Sequence, residues 1–276
     1  MLEYWEREKK LKAPFLLQEF IPGIEFAVGG WFGKKGFSKY FIENFEHKKF
    51  LNDDLGQATG ESATIMRYVT ESKLADAVLK PLEGELYRQG YTGYIDVAVI
   101  IDKKGNVWPL EFTTRPGFPI FQIQQILHPE PCQWMLDMID GIDSFEPDMR
   151  VASGLRYCLP DYPTNSWDTK LSTGFPVYNI SEKNRFFIHP DDMKAGIAPD
   201  DVNGKIKDVP IMVSCGTTVL AVSGIGNTIE KSCEDMYKHV DQLEMPNDPI
   251  YRTDIGKKAI KKLDELQAMG FAEEWK

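Results

Sequence analysis

Asp96 and Glu111 are the residues of this chain whose placement most needs a chemical reason. Asp96 lies inside the apolar run Tyr94-Ile-Asp-Val-Ala-Val-Ile-Ile101, and Glu111 opens Glu-Phe-Thr-Thr-Arg-Pro-Gly117. Between them, Lys103-Lys-Gly-Asn106 is polar and contains glycine, which predicts an antiparallel hairpin of 94–101 with 107–112. That pairing brings two acids together near one end. A buried carboxylate costs several kcal/mol unless it is paired or holds a metal, at about that order for each ion. A hard divalent cation relieves the cost; Mg2+ takes one or two carboxylates and leaves its other positions to water and phosphate. Arg115, in the Pro-Gly turn that follows, offers a forked donor to phosphate oxygens. The set reads as a nucleotide-phosphate site, or equally as a surface hairpin with two solvated acids and an ordinary arginine.

Upstream, Phe15-Leu-Leu-Gln-Glu-Phe-Ile-Pro-Gly-Ile-Glu-Phe-Ala-Val28 predicts a strand over about 14–21, a Pro22-Gly23 turn, and a second strand bearing Glu25. Main-chain groups of a strand entering such a turn can read a purine edge, and an acid just beyond it can accept bonds from ribose hydroxyls.

Together the two runs resemble the second half of an ATP-grasp nucleotide site, in which the last strand ends in Glu-x-Asn and both residues hold Mg2+. Thr113 stands here at the asparagine position. The middle segment, Glu46-His-Lys-Lys49 and then Asp53-Asp-Leu-Gly-Gln-Ala-Thr-Gly60, is similar to the Asp-His-Lys-Arg and Asp-x-Gly-Pro-x-Thr-Gly-Gly-Met-Gly runs of the phosphoribosylamine–glycine ligase family (glycinamide ribonucleotide synthetases). Glu61 and Ser62 depart from that pattern. The segments Val219–Glu230 and Tyr251-Arg-Thr-Asp-Ile-Gly256 resemble the same ligases' closing segments. A dinucleotide fingerprint would need a glycine where Ile229 stands, so a Rossmann site is rejected there.

The resemblance implies an α+β fold: an ATP-grasp C-terminal subdomain, antiparallel sheet with helices, over 1–145, followed by a small β-rich C-terminal domain over 146–276. It implies that Asp96, Glu111 and Thr113 hold Mg2+ (or Mn2+), and that Lys48 and Arg115 stabilise phosphoryl charge. Gln18, Glu19, Phe20, Ile21 and Glu25 would seat the adenosine of ATP, and Asp54, Gly56, Thr59 and Gly60 would meet substrate. The reaction implied is ATP-dependent joining of glycine to 5-phosphoribosylamine through an acyl phosphate, in purine biosynthesis. Another carboxylate and amine pair, or a nucleotide-binding module without turnover, remain open. The family also carries a Rossmann-like domain and a first ATP-grasp subdomain with no counterpart in these 276 residues, so the resemblance implies either a piece of a split or truncated enzyme, or a chain that works with a separate N-terminal chain.

The positioning elements follow from periodicity. Strands are expected at about 24–33 and 37–44, then a mobile loop to 63, then a helix over 72–89 capped by Ser72. A second helix is expected over 119–140, with Ile120, Ile123, Ile126 and Leu127 on one face and Trp134, Met135 and Met138 as core. Asp143–Asp148 marks the expected domain boundary. Later, 218–223 reads as a strand, Gly224 and Gly226 as a turn, and Asn227 or Thr228 as the cap of a helix to about 243; another helix spans about 254–269.

Composition narrows the class. Hydrophobic residues make up 42% and aromatics 12%, as in globular proteins, and no apolar run approaches the length of a membrane span. The charged N-terminus reads as no secretory signal, which points to the cytoplasm. A net charge of −10 argues against binding a nucleic-acid backbone. The four cysteines lack metal-ligand spacing and read as reduced thiols, and His189 reads as a packed structural histidine.

Overall fold

The computed structural model describes residues 2–9, 16–117, 119–128, 130–163 and 171–275. After the short helix α1 (Leu2–Arg7) come strands β1 (Ile24–Gly33), β2 (Gly36–Leu51) and β3 (Leu55–Val69), then helices α2 (Lys73–Val78) and α3 (Glu83–Arg88). The hairpin β4 (Gly93–Ile101) and β5 (Val107–Thr113) follows, with helices α4 (Ile120–Gln125) and α5 (Pro131–Asp140) behind it. The remainder contains β6 (Val151–Cys158), β7 (Thr173–Pro176), β8 (Ile188–Pro190), β9 (Met193–Asp201), β10 (Ile206–Cys215) and β11 (Thr218–Gly226). It closes with α6 (Ile229–Val240) and α7 (Ile255–Ala268).

One antiparallel eight-stranded sheet, in the order β5-β4-β1-β2-β3-β6-β11-β8, forms the frame, and β7-β10-β9 make a smaller sheet. Strand pairing runs across the expected boundary near residue 145, because β3 pairs with β6. Side chains alternate between the two faces of a strand. On one face Phe26, Val28, Phe45, Ile65, Val97 and Val99 are buried with residues of α2, α6, α7 and the C-terminal Phe271 and Trp275. The other face is divided. At one end Trp31, Ile42, Met66 and Tyr68 pack under Ile123, Ile126, Leu127, Trp134 and Met138 of the α4–α5 region. The opposite end of that face is polar and carries the site.

Several expectations are corrected. Residues 16–22 are neither helix nor strand, with Leu16, Leu17 and Phe20 exposed; residues 14 and 15 lie outside the described residues. No strand pairs with the segment among the described residues, so its β-prone composition has no ladder to join. The loop expected up to residue 63 is a long hairpin instead: β2 runs to Leu51 and β3 starts at Leu55. The expected helix over 72–89 is two helices separated by a 3-10 turn at Lys80–Leu82, where Pro81 cannot donate a helical hydrogen bond. The helix expected over 119–140 breaks likewise, with Pro131 at the start of α5; the side chain of Ile120 lies outside the described residues. Ile123, Ile126 and Leu127 are core as expected. Gly224 and Gly226 belong to β11 rather than to a turn. A Cβ there would lie 2.1 Å from the Met236 nitrogen and 2.4 Å from the Ser232 nitrogen, so these glycines let α6 lie directly on the strand.

Two capping expectations hold. The Ser72 side chain accepts from the Ala75 amide, and Thr228 accepts from Lys231. All four cysteines are free. Among the described residues no helix is long and apolar enough to cross a membrane.

Candidate functional site

Register places the acids on one face. Asp96 faces Thr113 across the β4–β5 ladder, and Glu111 is two residues from Thr113, so all three side chains leave the sheet on the same side. Gly29 of β1 is opposite Asp96. Ala27, two residues away, faces Asn44 of β2, and Glu46 follows two residues later on that side. Glu46 faces Thr64, Thr64 faces Gly154 of β6, and Arg156 is two residues further along. Five strands thus deliver side chains to one polar surface.

A cavity of about 260 Å³ opens on that surface, and Lys48, Gly60, Asp96, Glu111, Thr113 and Arg115 all border it, together with Glu46, Glu61 and Arg156. A neighbouring cavity of about 240 Å³ is bordered by Glu25, Asp54, Lys258 and Lys262 and shares Glu46 and Lys48 with the first. Lys48 pairs with Glu46 and lies 3.8 Å from Glu25. Burial works against its charge, but Glu46 and Glu25 outweigh that and raise its pKa. The lysine is therefore held as a fixed cation where the two cavities meet.

Asp96 is buried, and burial followed by the negative charge of Glu46 pushes its carboxyl up to about 7. The Tyr94 hydroxyl donates to Asp96 Oδ2 at 3.1 Å. Tyr94 reaches that position because residue 29 is glycine, whose Cβ would lie 1.9 Å from the Tyr94 oxygen. The donor set Asp96, Glu111 and Thr113 is made of oxygens alone, which suits a hard cation. Among the described residues no group of three or more His, Cys, Asp or Glu side chains forms a metal cage by itself. Mg2+ fits such a site by completing its shell with phosphate and water.

The other expected residues are distributed differently. Glu25 and Asp54 border the neighbouring cavity. Burial would raise the Asp54 carboxyl, but Lys258 and Arg252 hold it down at about 2. The Thr59 hydroxyl donates to the Lys48 carbonyl, and the Gly56 carbonyl accepts from Lys49, so these two shape the hairpin and border neither of these two cavities. Gln18, Glu19 and Phe20 are exposed, and with the half-buried Ile21 they border neither cavity. His47 borders the neighbouring cavity but is absent from the one at Asp96; its Nε2 lies 3.0 Å from the Ile255 carbonyl, and burial, then Arg252, lowers its pKa to about 4. His189 packs as expected, with Nε2 2.8 Å from the Ser223 hydroxyl.

Sequence reasoning missed Arg156, Lys258 and Lys262. Arg156 is a single cation inside the apolar strand Val151–Cys158, a signal comparable to Asp96 in its own strand. The spacing of Lys258 and Lys262 puts them on one face of α7.

With this geometry in view, the chain shares its fold with a phosphoribosylamine–glycine ligase from Thermotoga maritima: TM-score 0.64 at 18% identity, over 86% of this chain and 56% of that one. The architecture is that of the ATP-grasp fold, an antiparallel sheet with helices and a β-rich C-terminal portion. No protein-family model matches the chain. In sequence it is similar to phosphoribosylamine–glycine ligases. That of Ralstonia nicotianae is 24% identical over 234 residues, covering 79% of this chain and 50% of the relative. That of Vibrio parahaemolyticus is 23% identical over 231 residues, covering 80% and 50%. The chain therefore spans about half the length of the curated relatives it matches.

Proposed function

We propose that this chain carries the metal- and phosphate-handling portion of an ATP-dependent carboxylate–amine ligase. The observation that carries the reading is the meeting of Lys48, Asp96, Glu111, Thr113 and Arg115 around one cavity on the polar end of a sheet face. In this reading Asp96, Glu111 and Thr113 hold Mg2+ (or Mn2+), which when bound draws charge from phosphate oxygens. Lys48 and Arg115 stabilise charge on the phosphoryl group as it passes from ATP to a carboxylate, a reaction governed mainly by positioning and electrostatics. Glu25 takes the ribose hydroxyls and Gln18–Ile21 the adenine edge, while Asp54 and Gly60 face substrate. The acyl phosphate is then attacked by an amine, which releases phosphate and forms the C–N bond.

Glycine and 5-phosphoribosylamine, giving glycinamide ribonucleotide in the cytoplasm, are the first substrates to test, because the relatives bear that name. Glu61 supports a second reading, with the same reaction class and another acceptor: a buried acid replaces a residue of the family's glycine-rich run inside the cavity. Since the matched relatives are twice as long, the rest of the site is assigned to the complementary half of such a ligase, carried by the same or by another polypeptide.

ADP release tests this directly. The chain alone, with ATP, Mg2+, glycine and phosphoribosylamine, is expected to turn over barely, since each lost charge-stabilising contact costs about 3 kcal/mol. Adding the complementary half of a phosphoribosylamine–glycine ligase is expected to restore ADP release that depends on Mg2+ and on the carboxylate. Efficient turnover by the chain alone would remove the partner, and nucleotide binding without turnover in either mixture would favour a non-catalytic module.

A further inference from the structure

The cavity at Asp96 holds one acid to which the phosphoryl-transfer step gives no task. Glu61 is 5% exposed and borders the cavity, and its Oε1 has no hydrogen-bond partner among the described residues. Its position is well fixed. The next residue, Ser62, donates its hydroxyl to the carbonyls of His47 and Lys49, each at 2.7 Å, and so ties β3 to β2 beside it. The neighbouring cations have other partners: Lys48 pairs with Glu46, and Arg156 Nη1 donates to the Tyr162 hydroxyl at 2.9 Å. Next to Glu61 the chain leaves room, since a Cβ on Gly60 would meet nothing within 4 Å.

A buried carboxylate with a free oxygen, open space beside it and a second acid nearby attracts a cation and repels a phosphate. Burial, then the Glu46 charge, hold the Glu61 carboxyl well above its usual range, although Lys48 and Arg156 pull the other way. An ammonium group answers both needs, because it brings three donors and a positive charge. Aliphatic amines share the ordinary lysine pKa of about 10.4 and enter as ammonium ions near neutral pH.

We propose that Glu61 forms the acceptor subsite, and that the amine joined here is an aliphatic primary amine without a phosphate group, recognised as its ammonium ion, which gives one proton to the Glu61 carboxylate before the free amine attacks the acyl carbon and displaces phosphate. The proposal rests on the carboxylate–amine ligase reading and names the acceptor class for it. It also explains why an acid replaces the open glycine run at this point of the chain.

Calorimetric titration of the 276-residue chain at low salt, with ethylammonium chloride and separately with MgADP, tests it. The wild type is expected to bind ethylammonium. Glu61→Gln is expected to bind it about tenfold more weakly, the loss of one charge-assisted hydrogen bond. Glu61→Asp is expected to recover part of the affinity, and all three proteins are expected to bind MgADP equally, which shows that the variants are folded. Equal ethylammonium binding by wild type and Glu61→Gln, or no binding by the wild type, would overturn the proposal. So would tighter binding of phosphoethanolamine than of ethylammonium, or a loss of Mn2+ affinity in Glu61→Gln, which would make Glu61 a metal acid. Failure of the wild type to bind MgADP would instead remove the ligase reading itself.

Discussion

Glu43 and Asp96 are buried acids on opposite faces of the same sheet, and burial pushes both carboxyls up to about 7. Their surroundings differ. Each oxygen of Glu43 has its own donor: the Ser72 hydroxyl at 2.7 Å and the Trp275 indole nitrogen at 2.8 Å, in a wall closed by α2 and the C-terminus. Asp96 borders an open cavity with Glu46, Glu61 and Glu111 around it. Arg252 belongs with Glu43. Although fully buried, it meets Asp254 through two bonds of 2.8 Å, and also the Lys49 carbonyl and Asp54, and this pins the β2–β3 turn. Burial and a raised pKa therefore do not by themselves mark a site. The distinguishing feature is whether the acid is walled in among its own donors or borders a cavity that something can enter. Closed groups then control stability, and open ones control binding.

The largest effect is expected from a closed group. Arg252→Ala leaves Asp254 without its partner and frees the 52–54 turn, so urea unfolding is expected to show a loss of about 3–5 kcal/mol. A loss below about 1 kcal/mol would mean that the cluster is not what holds the hairpin.

Glu43 sharpens the contrast through pH. Its folded pKa of about 7 lies above the ordinary glutamate value of 4.5, so between those values the folded chain keeps a proton that the unfolded chain has released. Stability from this group is complete below pH 4.5 and is lost as pH rises through 7, by about 3 kcal/mol in all. Wild type is expected to fall relative to Glu43→Gln by that order across the window, read from unfolding curves at each pH. Parallel curves for the two proteins would show that the buried acid is already compensated.

How far the sequence reveals this division depends on range. The β4–β5 hairpin, the Ser72 and Thr228 caps and the shared face of Asp96 and Glu111 follow from turn residues and period-two alternation, which are local. The β2–β3 hairpin was not legible, because Asp53-Asp-Leu-Gly56 reads as a loop. Its order depends on Arg252, Thr253 and Asp254, which bond to Asp54, Asn52 and the Asp53 amide from about two hundred residues away. Arg156, Lys258 and Lys262 reach the two cavities from distant elements for the same reason. The helix breaks at Pro81 and Pro131 were readable, but apolar periodicity on either side of each proline masked them. The segment before the Pro22-Gly23 turn fails in the opposite direction: 16–22 has strand-like composition, and among the described residues it finds no strand to pair with.

A smaller effect is expected at the edge of the open region. Glu25 borders the cavity next to the site and lies 3.8 Å from Lys48, which keeps Glu46 as a partner if Glu25 is removed. Glu25→Ala is expected to weaken ATP binding by about 1–2 kcal/mol and to leave the melting temperature nearly unchanged. A large stability loss with unaltered nucleotide affinity would move Glu25 to the closed class.

The most direct test of the account is Mn2+ titration into the chain with ADP, followed by water-proton relaxation, for wild type and for Asp96→Asn combined with Glu111→Gln. The account predicts that wild type binds the metal nucleotide and that the double variant binds it about tenfold or more weakly. Unfolding stability is expected to be equal or higher in the variant, because the neutral amide relieves a buried charge. Unchanged Mn2+ affinity in a stably folded double variant would contradict the assignment of this cavity as the metal and phosphate site.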